Sequence, residues 1–164
     1  MNDSVCFTGH REVPAADREK LARLLPAVLR QCAGRGYRRF WCGGALGFDT
    51  LAALAVLREK EGEPSLRLCL ALPCPEQDAL WAEKDRRQYR EILSRADEVW
   101  YAAERYIKSS LLTRDRYMVE HSALCLCYLT EMSGGTAYTA SYALRQGLEV
   151  VNLAMLLDEE DPKI

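Results

Sequence analysis

Short strand patterns alternate with helix patterns along the whole chain, and this alternation limits the possible folds more than any other feature. The alternating apolar residues of 66–72 are typical of a strand, and the spacing of Leu21, Leu25 and Val28 is typical of a helix. Strands are expected at residues 5–7, 39–42, 66–72, 98–101, 123–129 and 150–153. The sequence therefore predicts a three-layer α/β/α, Rossmann-like fold with a mainly parallel sheet of about six strands.

Two of the intervening helices have unusual features. Pro26 falls inside the first helix pattern and is expected to kink that helix or force it to restart. A long charged helix is expected over residues 76–96, with Gln77 and Trp81 one turn apart near its start. Both features lie in segments that connect predicted strands, so neither changes the fold class.

The composition is that of one globular domain, expected over residues 1–157 and followed by an acidic tail at 158–164. No apolar run approaches the ~20 residues of a membrane span. Seven cysteines without metal-ligand spacing are expected to be buried, reduced thiols, which favours a cytoplasmic protein without metal or cofactor; a metal site or redox pair is the alternative. The net charge of −2 disfavours non-specific nucleic-acid binding but leaves a local basic patch open.

The parallel topology indicates where a ligand would bind. All strands of such a sheet end at one edge, and ligands bind at that carboxyl edge where the strand order reverses. Segments that directly follow strands are therefore the candidates. Four of them should meet at this edge, namely residues 9–11, 43–49, 73–77 and 131–136.

Two of these segments contain glycine turns, Gly43-Gly44 and Gly134-Gly135, and each precedes a predicted helix. The start of a helix offers free N–H groups and the positive end of its dipole, which together favour an anion. The spacing matches neither the GxGxxG dinucleotide motif nor the P-loop. We therefore predict a phosphate or nucleotide site. Its backbone would come from Gly9, Gly43, Gly44, Ala45, Gly47, Gly134, Gly135 and Thr136.

Charged side chains could complete this site. Arg114 is expected near a helix N-terminus, where a cation opposes the dipole, so an anion in the cleft would explain its position; a solvated or acid-paired arginine is the alternative. Arg11 has the same two interpretations. Asp49 either caps its helix or accepts a hydrogen bond from a ribose hydroxyl.

The remaining candidates are an aromatic side chain that could stack on a ligand's ring and a general base. Trp81, with Gln77 beside it, either packs in the core or an interface or forms a wall against a purine ring. A general base, if the protein has one, would come from Glu131, Asp49 or His10. His10 follows Gly9 and could instead only shape its loop.

Taken together, these motifs resemble the SLOG superfamily, and most closely its small, single-domain YpsA-like branch. The resemblance covers nearly the whole chain and rests on the following segments in order: Thr8-Gly9-His10-Arg11, Gly43-Gly44-Ala45-Leu46-Gly47-Phe48-Asp49, Pro73 with Gln77 and Trp81, Arg114-Asp115-Arg116-Tyr117-Met118-Val119, and Ser133-Gly134-Gly135-Thr136. It implies a Rossmann-like fold that holds a nucleotide-type ligand at the carboxyl edge. It also implies an oligomer, with a homodimer as the expected state.

Two branches of the superfamily suggest different activities. LOG-type phosphoribohydrolases carry an arginine that Arg114 resembles and a glutamate in a PGGxGTxxE motif, where this chain has Ser141. DprA-like proteins bind single-stranded DNA, but this chain lacks their accompanying domains and any basic excess. We therefore expect binding or sensing of a nucleotide-derived ligand, similar to ADP-ribose or a purine nucleotide. The alternatives are N-glycosidic hydrolysis of a nucleotide and single-stranded nucleic-acid binding.

Overall fold

The computed structural model describes residues 2–164, which form one six-stranded sheet covered by helices on both faces. All neighbouring strands are parallel. The strands are β1 (Ser4–Gly9), β2 (Arg39–Cys42), β3 (Arg67–Leu72), β4 (Glu98–Tyr101), β5 (Leu124–Tyr128) and β6 (Glu149–Asn152). The helices are α1 (Ala15–Gly34), α2 (Phe48–Gly62), α3 (Glu83–Arg95), α4 (Ser110–Glu120) and α5 (Gly134–Arg145), with a short 3₁₀ turn at Leu153–Met155.

Each face of the sheet has its own apolar core. Phe7, Phe40 and Leu70 belong to the larger core, which α1, α2 and α3 cover. Cys6, Trp41 and other side chains of the opposite face pack against α4 and α5. The three-layer, Rossmann-like fold predicted from the sequence is thereby confirmed. All seven cysteines are buried and free, and their burial agrees with the prediction.

The order of the strands across the sheet is β4-β3-β2-β1-β5-β6. The chain therefore proceeds in one direction from β1 to β4 and in the other direction from β1 to β6. A cleft opens at such a reversal because the helices after β1 and β5 leave on opposite faces of the sheet. This reversal lies between β1 and β5, so residues after these two strands are adjacent.

Helix α1 does not restart at Pro26, contrary to one of the two expectations for this residue, and continues from Ala15 to Gly34. A proline in a helix interior removes one backbone hydrogen bond and crowds the preceding turn. Leu24, Leu25, Val28 and Leu29, on both sides of the proline, are buried against the sheet. Their burial offsets the local cost and keeps the helix in one piece.

The helix expected over residues 76–96 is wrong in its first part, since α3 begins only at Glu83. The preceding residues form successive turns, with Ala79 N donating to Glu76 O at 3.0 Å and Trp81 N to Asp78 O at 3.1 Å. Asp78 is only 1% exposed. Its Oδ2 lies 3.5 Å from Arg86 Nε and 3.2 Å from Arg90 Nε of α3. These ion pairs, which lack hydrogen-bond geometry, hold the turns against the helix that follows by charge attraction.

The last residues, 158–164, lie along α1. Asp158 forms an ion pair with Lys20 at 2.6 Å. The Gln31 side chain donates to Pro162 O at 2.7 Å and accepts from Ile164 N at 3.1 Å. No helix within residues 2–164 is both long and apolar enough to cross a membrane.

Candidate functional site

A cavity of about 490 Å³ opens at the strand reversal, between the carboxyl ends of β1 and β5 and the start of α5. Many of the predicted site residues line it: Gly9, His10, Arg11, Ala45, Asp49, Arg114, Glu131, Gly134, Gly135 and Thr136. Gly43, Gly44 and Gly47 are not among its lining residues, and Gln77 and Trp81 line a neighbouring cavity.

The first turn of α5 forms one wall of this cavity and is open to it. Gly134 has φ +87°, a conformation that glycine adopts readily, and apart from its own turn no part of the protein lies within 4 Å of where a Cβ of Gly134 or Gly135 would be. Ser133 precedes the helix without capping it through its side chain. The N–H groups of this turn are therefore available to an anion.

The first glycine turn, by contrast, packs against protein. Gly43 O accepts a hydrogen bond from Arg114 Nη1, and a side chain at Gly43 would collide with this guanidinium. The space beside Gly44 is filled by three side chains: an added Cβ would lie 2.6 Å from Leu72 Cδ2 and 3.1 Å from both Gln77 Nε2 and Tyr89 Cε1. Gly47 has φ +80° and lies against the backbone of Arg11. Direct contact between this turn and a ligand stays a prediction.

Arg114 is a buried cation beside the cavity, only 5% exposed. Because α4 begins at Ser110, Arg114 lies in the second turn of the helix rather than at its N-terminus as predicted. Its Nε donates to Asp115 Oδ1 at 2.7 Å, and its Nη1 donates to Gly43 O. Arg114 therefore joins α4 to the first glycine turn while it contributes positive charge to the cavity wall. Arg11, in contrast, is exposed.

Asp49 is a buried carboxyl group that lines the same cavity, with 6% of its surface exposed. Burial raises the pKa of Asp49 from 3.8 to about 6, against the opposing effects of Arg114 and of the hydrogen bond from Ala45 N. That bond, to Asp49 Oδ2, is 3.2 Å long. Asp49 is thus mainly ionised at neutral pH and can accept a hydrogen bond or a proton.

The other two candidate bases differ in their surroundings. His10 Nε2 accepts a hydrogen bond from Thr130 N at 2.9 Å, which ties the loop after β1 to the loop after β5. This contact agrees with a loop-shaping role and occupies the nitrogen that a general base would use. Glu131 is exposed and lines the cavity.

Several residues of the site were not predicted from the sequence. Leu111 lines both cavities, Asp115 holds Arg114, and Asp78 fixes the turns that carry Gln77 and Trp81. Leu111 was not predicted because the sequence did not reveal that α4 begins at Ser110, which places Leu111 in its first turn. Within residues 2–164, no group of three or more His, Cys, Asp or Glu side chains is placed to hold a metal ion.

The sheet order, the cavity at its reversal and the open start of α5 place this chain among Rossmann-like α/β proteins with a ligand-sized cleft at the carboxyl edge. Within this class, the model of the YspA SLOG family matches residues 6–157. The chain belongs to this family, which confirms the resemblance seen in the sequence.

Relatives in sequence include the uncharacterized SPbeta prophage-derived protein YoqJ of Bacillus subtilis. It is 28% identical over 137 residues, which are 76% of this chain and 80% of YoqJ. The UPF0398 protein BH1768 of Halalkalibacterium halodurans is 29% identical over 114 residues, 68% of this chain and 60% of that protein. A UPF0398 protein of Bacillus cereus is 32% identical over 107 residues, 63% of this chain and 58% of the relative.

Solved structures of DNA processing protein A share the fold. The Streptococcus pneumoniae protein superposes with a TM-score of 0.66 at 16% identity, covering 90% of this chain and 48% of that one. The Helicobacter pylori protein, described with a single-stranded DNA binding mode, gives a TM-score of 0.68 at 18% identity, covering 91% and 64%. Identities this low establish a common fold and nothing further.

Proposed function

We propose that this protein binds a nucleotide or nucleotide-derived ligand whose phosphate lies on the N-terminus of α5. The observation that carries the proposal is the uncovered first turn of α5, which faces the same cavity as Arg114 and Arg11. A helix start with free N–H groups favours phosphate. Arg11 adds positive charge to the same cavity, and so does Arg114, whose charge is partly balanced by its ion pair with Asp115.

Each lining residue has a role in this proposal. Gly134 and Gly135 donate backbone N–H groups to the phosphate, and Thr136 adds its hydroxyl group. Arg11 is exposed and free to reach an anionic oxygen, whereas Arg114 acts from a fixed position. Asp49 accepts a hydrogen bond from a sugar hydroxyl.

Calorimetric titration with AMP, GMP, CMP, NAD and ADP-ribose tests the proposal. We expect at least one of these ligands to bind with a stoichiometry of one per chain. A crystal grown with that ligand should show its phosphate at Gly134-Gly135. Absence of binding by every compound, with no anion at this turn, would contradict the proposal.

Hydrolysis of the N-glycosidic bond is a second candidate function, favoured by one observation. Asp49 combines burial in the cavity wall with a pKa raised to about 6, which suits a general base. Ser141, at the position of the hydrolase glutamate, lies outside the cavity lining and accepts a hydrogen bond from Arg145 at 3.1 Å. Chromatography that detects released base tests this candidate. Turnover by the wild type that is abolished in Asp49→Asn supports hydrolysis, and no turnover by the wild type supports binding alone.

Binding of single-stranded nucleic acid is the function to distinguish from these two, because DprA chains share the fold. The net charge of −2 disfavours it. Nucleic-acid binding through phosphates weakens steeply with salt, so oligonucleotide affinity measured at ~50 and ~200 mM salt tests it. Weak or salt-insensitive binding would leave the small-molecule proposal.

We further propose a homodimer in the cytoplasm. Seven free, buried thiols suit a reducing compartment. The edge strand β4 leaves Val99 37% and Tyr101 38% exposed, where a second copy could cover them. Sedimentation analysis tests the dimer, and a monomer at all concentrations would contradict it.

A further inference from the structure

A second cavity, of about 550 Å³, lies beside the first at the carboxyl end of β3. Its lining is mainly apolar and includes Pro73, Trp81, Tyr106 and Leu111. Arg11 and Leu111 line both cavities, so the two spaces adjoin along these side chains. A ligand on α5 that is long enough to pass Arg11 would enter this second cavity.

Trp81 provides a flat wall that is held in place. Its ring packs edge-on against Tyr89, with centroids 5.1 Å apart and an interplanar angle of 73°. The buried Asp78, paired with Arg86 and Arg90, fixes the turns from which Trp81 projects. A half-buried ring with a fixed orientation loses little freedom when another ring stacks on it.

Two apolar side chains of this cavity are unusually exposed. Leu80 is 99% exposed and Tyr106 is 60% exposed, although both line a concave surface. Arg105 and Glu76 add polar groups to the same lining. Apolar walls with a few polar groups are typical of sites that bind small molecules, and the flat Trp81 ring suits a planar base.

We propose that this second cavity binds the purine base of the ligand whose phosphate lies on α5. The proposal deepens the proposed function and rests on it. Arg11, which lines both cavities, then lies along the sugar and phosphates between the two ends of the ligand. A purine covers more of the Trp81 ring than a pyrimidine does, so the site favours purine nucleotides.

Calorimetry with base-containing and base-free ligands tests this inference. The titrated ligands are AMP, GMP, ADP-ribose, CMP and ribose 5-phosphate, and the proteins are the wild type, Trp81→Ala, Trp81→Phe and Trp100→Phe. We expect Trp81→Ala to weaken purine binding roughly 5- to 100-fold, the usual effect of losing an aromatic stacking partner of a base. Trp81→Phe should retain most of the affinity.

Ribose 5-phosphate carries the phosphate and sugar without a base, so its affinity should not change in Trp81→Ala. This ligand also shows that the variant keeps a folded phosphate site. Trp100→Phe is the matched control, because Trp100 stacks on Tyr117 at 3.7 Å and lines neither cavity. Its purine affinity should equal that of the wild type.

Three results would overturn the inference, and they differ in what else they affect. Equal affinity for purine nucleotides and ribose 5-phosphate, unchanged in Trp81→Ala, removes the base site and leaves the phosphate site intact. A loss of ribose 5-phosphate binding in Trp81→Ala as large as the loss of purine binding shows a structural effect instead. No binding by any ligand rejects the proposed function together with this inference.

Discussion

Arg114 and Arg11 line the same cavity, but the protein holds them in different ways. The guanidinium of Arg114 is buried and engaged by Gly43 O and Asp115. Arg11 is exposed in the loop after β1. One arginine is therefore part of the folded framework, and the other is free to respond to a ligand.

Replacing Arg114 with alanine should destabilise the protein strongly. The change leaves the Asp115 carboxylate and the Gly43 carbonyl without their cationic donor, and removing one member of a buried ion pair costs about 3–5 kcal/mol. Urea denaturation measures the free energy of unfolding. A change below about 1 kcal/mol would show that these contacts contribute little.

Arg11→Ala should instead leave stability within about 0.5 kcal/mol of the wild type, as for most surface substitutions. Its effect should appear in nucleotide affinity, which we expect to fall roughly 10- to 100-fold with the loss of charge-assisted hydrogen bonds. Calorimetry and thermal unfolding on the same preparation separate the two effects. Unchanged affinity would place Arg11 outside the binding site.

Asp49 should make stability depend on pH in a definite direction. Its pKa is raised to about 6 in the folded protein, so the stability gained from the neutral carboxyl is complete below its unfolded pKa of about 3.9 and is lost as the pH rises through 6. The two-unit rise corresponds to about 3 kcal/mol. Because part of this is already lost at pH 4, the wild type should lose about 2 kcal/mol relative to Asp49→Asn between pH 4 and pH 7.

Urea denaturation of both proteins across this pH range provides the measurement. Asparagine can still accept the hydrogen bond from Ala45 N, and all other titrating groups cancel in the difference between the two proteins. A difference that stays constant from pH 4 to pH 7 would show that Asp49 keeps an ordinary pKa.

At the scale of elements, the strands could be predicted and the connection after β3 could not. Alternation of Leu66, Leu68, Leu70 and Leu72 is a local signal, and the strand lies where this pattern predicts it. The turns before Glu83 depend on Asp78 being buried against Arg86 and Arg90, a contact between separate elements. Helix propensity reports only the local preference of such a segment, and here the tertiary contact prevails.

The two glycine turns show the same limit for the site. Both precede helices, so the sequence predicts two similar anion-binding sites. Only the structure shows that Arg114, 71 residues away, donates to Gly43, and that Leu72 and Gln77 fill the space beside Gly44. Gly134 and Gly135 have no such neighbour, and they form the open turn.

Helix α1 provides a prediction of its own. Pro26 lies inside a continuous helix, where proline is about 3 kcal/mol less favourable than alanine. Proline also restricts the unfolded chain, which stabilises the folded protein by roughly 1 kcal/mol. Pro26→Ala should therefore stabilise the protein by about 1–2 kcal/mol. Thermal unfolding would show a higher Tm, and a lower one would mean that the proline ring contributes essential packing.

At the scale of the whole molecule, the strand order connects the fold to the site. Alternation of strands and helices predicts a parallel sheet, but it does not reveal which strands are neighbours. The order β4-β3-β2-β1-β5-β6 places the loops after β1 and β5 side by side. It thereby brings Arg11, Asp49 and the start of α5 around one cavity. The second cavity, which Trp81 lines, is adjacent to it.

Our central claim is that phosphate binds at the first turn of α5, and a single added charge tests it. Gly135→Asp introduces a carboxylate where nothing outside the helix's own first turn lies within 4 Å of the new Cβ, and an acidic residue in a first turn favours the helix. The fold should therefore survive while the carboxylate repels phosphate. Gln146→Glu adds the same charge beyond the other end of α5, about 16 Å away along its axis.

The decisive measurement is a calorimetric titration of ADP-ribose into the wild type, Gly135→Asp and Gln146→Glu, with thermal unfolding of each protein. We predict that Gly135→Asp keeps a Tm at or above that of the wild type and loses ADP-ribose binding, whereas Gln146→Glu binds as the wild type does. Wild-type affinity in a folded Gly135→Asp protein would contradict the claim that α5 receives the phosphate.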